Sequence, residues 1–516
     1  MMISWYIILP FLGGLFAWLA GRRHAAAARW VSMAVLAVDL LMVIVGWLLY
    51  FPAAGGKEAG AWLMEFQYPW VPQLGVGFHL GLDGLSLLLV LLTLFLGIIA
   101  VLGSWKEIDR RVGFFHLNLL WTLSGVIGVF LALDLFLFYF FWELMLVPMY
   151  FLIALWGHEN RAYASVKFFI FTQLGSLLML LSIIGLYIVH GQTTGHYTFD
   201  YQQLLQTDMS PQLSFWLMLG FFIAFAVKIP MVPLHTWLAD AHTAAPTAGS
   251  VILAGLLLKT GAYGLIRFLF PLFPEAAASI SGLGMVFGVV GIIYGALLAF
   301  AQQDLKRLIA YASISHMGFV LLGLFAGNEA AFQGVVIQMI CHGIGTGGLF
   351  IIAGAIQERL RTRDMEKMGG LWSVMPGMGG CALVLALASL GLPGLGNFVG
   401  EFLILLGVFP DHPGLAVLAA SGLVAAAVYA LWLVQKVFFG QAGAGLIVAD
   451  ATVRELAMLS VMIALLLILG LYPQPVLDTA RPALAVLGEA RGYSPKAGLN
   501  PRPAGIPLAE KGTGSP

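Results

Sequence analysis

The chain has 516 residues, of which 60% are hydrophobic and 10% charged, with 25 basic side chains balanced by 25 acidic ones. Soluble domains carry about 25% charged residues, so this chain cannot cover a water-facing surface, which excludes a soluble enzyme, a nucleic-acid binder and a disordered scaffold. Cys341 and Cys381 are the two cysteines and lie in separate apolar runs. They make no disulfide framework, iron–sulfur cluster or zinc site, so redox chemistry linked to the chain belongs elsewhere.

A membrane-crossing helix needs about 20 mostly apolar residues for about 30 Å of hydrocarbon. Fourteen such runs follow one another, at about 3–20, 29–51, 83–103, 113–131, 134–155, 164–189, 213–243, 246–271, 278–300, 306–326, 332–357, 373–409, 414–438 and 453–473. The first is a retained helix and not a secretory signal, because Arg22 and Arg23 follow its apolar stretch instead of preceding it. The long connections fall at 52–82, where Trp62, Phe66, Tyr68, Trp70 and Phe78 suggest a small hairpin, and at 190–212. From about Gly488 the proline- and glycine-rich tail reads as disordered. No Walker-type phosphate loop is present, so ATP-driven transport is not expected.

Charge sets the orientation. With the first residue outside, the odd-numbered connections and their flanks are cytoplasmic and hold sixteen basic residues, from Arg22, Arg23 and Arg29 to Lys436 and Arg454. The even-numbered connections hold two, Lys57 and Arg267. That bias follows the positive-inside rule and puts both termini outside. The spacings Gly284/Gly288, Gly291/Gly295 and Gly343/Gly347 allow close helix packing.

Two runs are interrupted. The seventh contains Lys228-Ile-Pro-Met-Val-Pro233 and the twelfth Leu390-Gly-Leu-Pro-Gly-Leu-Gly396. Proline removes a backbone donor, so each helix opens there, and open backbone at membrane depth must line protein or a wet cavity. When runs four to eight and nine to thirteen are taken as two sets, each break falls in the fourth helix. Sets of five insert in opposite orientations, which makes an inverted repeat, and paired broken helices point to an ion site. The expected fold is an all-α polytopic membrane protein of about 14 transmembrane helices with two such repeats. Its units are 1–112, a three-helix segment with an outside loop; 113–271 and 278–438, the repeats; 439–476, a last helix; and 477–516, an irregular tail.

Six ionisable residues fall near mid-depth: Glu143, Lys228, Lys259, His316, His342 and Glu401. Each ionised group there costs at least about 2.5–3.5 kcal/mol. Burial and opposite charge push lysine and carboxyl pKa values toward each other, and histidine passes protons near neutral pH. The six therefore read as a hydrated proton relay. Asp39, alone in its run, reads as an interface hydrogen-bonder. His235, Asp240 and His242 read as a proton entrance or a polar loop, and the seven-residue spacing of the two histidines, with no third ligand, does not suggest a metal site.

The stretches KIPMVPLHTWLADAHTAAPTAGS (228–250), LLKTGAYG (257–264), KRLIAYASISHMG (306–318) and GLPGLGNFVGEF (391–402) resemble the antiporter-like subunits of respiratory complex I. The resemblance extends to about residue 473. It is nearest the chain M branch of bacterial proton-translocating NADH:quinone oxidoreductase, because Glu401 stands where chain N and the related antiporter subunits usually carry lysine and because the chain lacks the long lateral helix that ends chain L. The resemblance implies that Glu143 and Lys228 form a pair, that Lys259, His316 and His342 form the central relay and that Glu401 is the exit-side residue. It implies neighbouring membrane-arm subunits as partners, a bacterial inner (plasma) membrane location, and NADH, FMN, iron–sulfur clusters and quinone in partner subunits, with no cofactor or metal in this chain. Ala239 and Ala312 depart from a common proline and a common serine. A subunit of a multi-component cation/proton antiporter and a non-conducting structural subunit are the other readings.

Overall fold

The computed structural model describes residues 2–50, 62–441 and 448–490. Lys57 and the tail residues Arg491, Lys496, Arg502 and Lys511, together with the expected irregular chain from 491 onward, lie outside the described residues. Among the described residues thirteen helices are long and apolar enough to cross a membrane, and two shorter apolar ones make up a further crossing. In chain order, spans 1–6 are Met2–Gly21, Ala25–Tyr50, Gly84–Gly103, Val112–Leu131, Leu135–Trp156 and Arg161–Thr194. Span 7 is broken into 7a (Pro211–Lys228) and 7b (Thr236–Ala244). Span 8 runs from Thr247 to Leu272. Spans 9–11 are Ser281–Phe300, Leu305–Ala326 and Glu329–Leu360. Span 12 is broken into 12a (Pro376–Ser389) and 12b (Gly396–Val408), and spans 13 and 14 are Pro413–Phe438 and Val453–Leu471. The fourteen crossings match the runs expected from hydropathy. The tail differs: Gln474–Ala490 is a helix where irregular chain was expected, because its apolar residues Leu477, Ala480 and Leu484 are buried and gain an ordering contact.

Side chains stop and start the helices. Asp83, Asp134, Asp304 and Asn328 each accept a backbone amide of the first turn they precede, and Thr452 with Glu455 makes a capping box. Each cap contributes about 1 kcal/mol. Glycine sets the spacing of spans 9 and 10: a β-carbon on Gly288 would lie 2.8 Å from the Leu322 amide nitrogen and one on Gly295 2.6 Å from that of Ser315. Only glycine permits this backbone approach, in a solvent where apolar contact alone does not drive helices together.

The repeat carries a residue-level mark that the sequence comparison did not show. Asp134 caps span 5 and bridges Asp200, and Asp304 caps span 10 and bridges Asp364. In the first bridge the Leu135 amide donates to Phe199 O and the Tyr201 amide to Leu133 O. In the second the Leu305 amide donates to Arg363 O and the Met365 amide to Gln303 O. Asp200 and Asp364 each cap a short helical turn, Tyr201–Leu204 and Met365–Lys367. Each set thus pins the start of its second helix to the loop before its broken helix by the same pattern of two aspartates.

The expected hairpin in 52–82 is present as two antiparallel strands, Met64–Val71 and Val76–Leu82, with Gln67 opposite His79. It is tied to the first set by His79, whose Nδ1 lies 2.6 Å from Asp200 and whose Nε2 lies 2.7 Å from Glu65. Burial alone would lower the His79 pKa, but the hydrogen bonds and charges of Asp200 and Glu65 outweigh it and hold the imidazole above its ordinary range. A group whose folded pKa is raised contributes stability below its unfolded pKa, about 6.5, and loses it as pH rises through the folded value. Hydrogen exchange of 64–82, corrected for the intrinsic rate, is therefore expected to accelerate as pH rises above neutral. In His79→Gln it is expected to be faster at acid pH and to lose this pH dependence.

Candidate functional site

The mid-depth groups are positioned by irregularities in otherwise regular helices. Span 8 is fully buried and contains two π-helical stretches, Leu253–Leu257 and Leu265–Leu269. The wider turn frees carbonyls, and such insertions recur at functional sites. Lys259 Nζ donates to one of them, Ala254 O, and lies 2.6 Å from His342 Nδ1 on span 11. With the lysine as donor, His342 carries its proton on Nε2, which has no partner in the described residues. The two helices meet at glycines: a β-carbon on Gly343 would lie 3.0 Å from Gly255 O.

A second pair sits beside the first. His316 Nδ1 on span 10 is 2.8 Å from Glu401 Oε1 on span 12b. Its Nε2 contacts Ser389 Oγ at 3.1 Å and the Tyr429 hydroxyl at 3.3 Å, while Gln338 Nε2 donates to the same Glu401 oxygen at 2.8 Å. The rings of His316 and His342 are 5.6 Å apart, centre to centre. Glu401 Oε2 is unpartnered among the described residues, and a β-carbon on Gly391 would lie 3.0 Å from it, so this oxygen faces the break of span 12. Gly391 and Gly394 make that break at φ 78° and 96°, conformations glycine adopts without strain.

Glu143 and Lys228 stand differently. The resemblance implied a pair, but among the described residues Lys228 Nζ has no hydrogen-bond partner, and it lies 5.4 Å from the Trp142 ring centre and 5.6 Å from that of Phe168. The aromatic faces hold the ammonium electrostatically, a contact of about 2 kcal/mol or more when desolvated. Glu143 is half-buried and accepts from Gln173 Nε2 at 3.5 Å. Lys228 does not cap the carbonyls freed at the break, because Trp237 Nε1 takes Val227 O at 3.0 Å. The six residues therefore form two hydrogen-bonded pairs and two separate members.

The three residues near span 7b have three settings. Asp240 is fixed by Lys167 at 2.7 Å and Arg307 at 3.2 Å, which ties the two sets together at this end. His235 packs edge-on against Tyr294. His242 is fully buried, stacked on Phe350 at 4.6 Å, with both ring nitrogens unpartnered among the described residues. Asp39, expected to hydrogen-bond at an interface, is buried with neither oxygen partnered in the described residues.

Gln338, Ser389 and Tyr429 were missed in the sequence. Gln338 lies one helical turn before His342 and Ser389 directly before the break, so position could have flagged both. Tyr429 carries no such signal. Chemically, each pair sets a proton donor against an acceptor, and the two pairs lie beside one another with 5.6 Å between the histidine ring centres.

Residues 132–428 match the family described as NADH:quinone oxidoreductase/Mrp antiporter, transmembrane. The chain is 54% identical over 496 residues to NADH-quinone oxidoreductase subunit M of Pseudomonas aeruginosa, covering 94% of this chain and 97% of that one. It is 52% identical over 498 residues to subunit M of Escherichia coli strain K12, with the same coverage. Among solved structures it is similar to a chain of respiratory complex I from Thermus thermophilus with bound NADH, with a TM-score of 0.86 and 33% identity, covering 95% of this chain and all of that one.

Gly343→Val is expected to push spans 8 and 11 apart and lengthen the Lys259–His342 contact beyond hydrogen-bond reach. A cryo-EM structure of the variant, compared with the parent, reads that distance.

Proposed function

The chain belongs to the membrane-subunit family of NADH:quinone oxidoreductases and Mrp antiporters, and on that footing we propose that it is the chain M subunit of a bacterial complex I. In this reading it moves protons from cytoplasm to outside while partner subunits oxidise NADH and reduce quinone. It is a multi-pass inner-membrane protein, with other membrane-arm subunits as its partners and both termini on the outer face. The positive-inside bias supports that orientation. NADH, FMN, iron–sulfur clusters and quinone belong to the partners, and no residue of this chain is assigned to them.

The carrying observation is the placement of two proton-holding pairs, Lys259–His342 and His316–Glu401, side by side at mid-depth. Lys259 gives its proton to His342 Nδ1, and His342 releases the one on Nε2 toward His316. His316 passes charge to Glu401, whose free oxygen faces the opened backbone of span 12 and releases the proton there. Ser389, Tyr429 and Gln338 orient the acceptors. Glu143 and Lys228 supply the trigger. Lys228, held by aromatic faces without an acceptor, responds to a charge change at Glu143, and its side chain packs against span 8 at Gly261, two residues from Lys259. Each charge moved against the membrane potential costs about 2.3 kcal/mol per 100 mV, so passive pKa differences of one or two units cannot drive the cycle and energy from the redox partners is required.

NADH-driven acidification of inside-out vesicles tests this. Glu143→Gln, Lys228→Ala and Lys259→Ala, each in fully assembled enzyme, are expected to lower pumping by about tenfold or more, the scale of losing a proton-transfer group. Normal pumping in all three would leave a structural role as the better reading.

A further inference from the structure

Span 8 carries two charged residues, Lys259 and Arg267. They stand about 12 Å apart along the helix axis, at 1.5 Å per residue. Arg267 lies in the second π-helical stretch, Leu265–Leu269, at the end of the span that meets the hairpin. Its side chain is 11% exposed and pairs with Asp83, whose side chain is 10% exposed. Its Nε donates to the Tyr263 hydroxyl at 3.1 Å, and the guanidinium sits 4.9 Å from the Trp62 ring centre and 5.4 Å from that of Tyr263. Tyr263 is one turn nearer to Lys259, and its hydroxyl donates to Phe130 O at 2.8 Å and meets Ser86 Oγ at 3.2 Å. The cluster is also covered. The helix Gln474–Ala490 packs on spans 3 and 11 and on the last turn of span 8, and a β-carbon on Gly84, next to Asp83, would run into Thr479 O. The relay from Lys259 onward uses none of these groups.

None of the described side chains in this cluster is free to relay a proton. A guanidinium has donors only and keeps its protons. Asp83 Oδ1 accepts the Ser86 amide, and Oδ2 accepts from Arg267. The Tyr263 proton is committed to a main-chain carbonyl. Arg267 therefore interrupts any chain of proton transfers along span 8. It also places a fixed positive charge on that path, which repels an approaching proton as an arginine does in a selective pore. A mid-depth lysine needs such a stop. With span 8 open at both ends, protons would run down the membrane potential past Lys259, and nothing would be pumped.

We propose that Arg267, fixed by Asp83 and Tyr263, is a barrier that closes the hairpin end of span 8 to protons, so that Lys259 exchanges its proton with His342 and not with the medium on that side. The inference rests on the relay reading and the orientation given above, in which the hairpin end is the outer one. Asp83 compensates the buried charge and Tyr263 aims it, so both are positioning residues, and the stop itself is the guanidinium.

The test uses assembled enzyme in liposomes without NADH. A potassium gradient with valinomycin sets the membrane potential, and a pH-sensitive dye reads the proton flux per enzyme. Arg267→Gln is expected to raise that flux by about tenfold or more, the scale of removing one poorly screened charge from the path. If it fails to assemble because Asp83 is left unpaired, the double variant Asp83→Asn/Arg267→Gln removes both charges together and reads the same leak. Arg267→Lys keeps the charge and Tyr263→Phe keeps the guanidinium, so both are expected to stay near the parent. Adding Lys259→Ala to Arg267→Gln is expected to return the flux to the parent level. Parent-level flux in both Arg267→Gln and the double variant overturns the proposal. So does a leak in Arg267→Lys and Tyr263→Phe equal to that of Arg267→Gln, which would make the cluster a structural brace, and so does a leak that survives Lys259→Ala, which would run elsewhere. NADH-driven pumping in Lys259→Ala alone separates the two readings. If pumping is lost there while Arg267→Gln stays tight, only the barrier fails. If pumping is normal there, the relay reading fails first.

Discussion

An ammonium in the middle of a bilayer needs acceptors, and Lys259 has two: a carbonyl released by a π-helical turn of its own span and a histidine on the neighbouring one. Much of the surrounding architecture serves that placement. The π turn at Leu253–Leu257 exists at the cost of regular α-helical bonding. Gly255 and Gly343 bring the two backbones close enough for a lysine and a histidine to meet. A cation that cost several kcal/mol to bury alone becomes tolerable when acceptors for its N–H groups are supplied. The same logic governs His316, whose two ring nitrogens are both occupied, one by a carboxylate and the other by hydroxyls.

One of the two pairs joins the two halves of the molecule. Lys259 belongs to the first five-helix set and His342 to the second, so the Lys259–His342 contact is a bond across the repeat boundary. Asp240 makes another such bond beside span 7b, through Lys167 of the first set and Arg307 of the second. Within each set an aspartate bridge ties the second helix to the loop before the broken one. Charged contacts thus recur at the seam between the sets, alongside its apolar packing.

Much of this was legible in the sequence because hydrocarbon is an unforgiving solvent. Apolar run length located all fourteen crossings, the proline–glycine clusters located both breaks, and mid-depth position picked out the residues now seen as two pairs. Pairing itself was not legible. The Glu143–Lys228 pair was implied by the resemblance alone, aromatic rings lie nearest the Lys228 ammonium, and no periodicity encodes which way a lysine turns. The helix Gln474–Ala490 was hidden because its proline and mixed composition resemble loop, and tertiary burial of one face decides it. The aspartate bridges were hidden for another reason. They are main-chain contacts between loops of different length, and an alignment of apolar helices has nothing to lock onto there.

The central claim is that the Lys259–His342 and His316–Glu401 pairs exchange protons across the gap between the two histidine rings. A cryo-EM map of the assembled membrane arm, at a resolution that shows ordered water, measures this most directly. The account predicts water hydrogen-bonded to both His342 Nε2 and the His316 side of the gap. Apolar side chains packed into that gap, with both pairs sealed from each other, would contradict it.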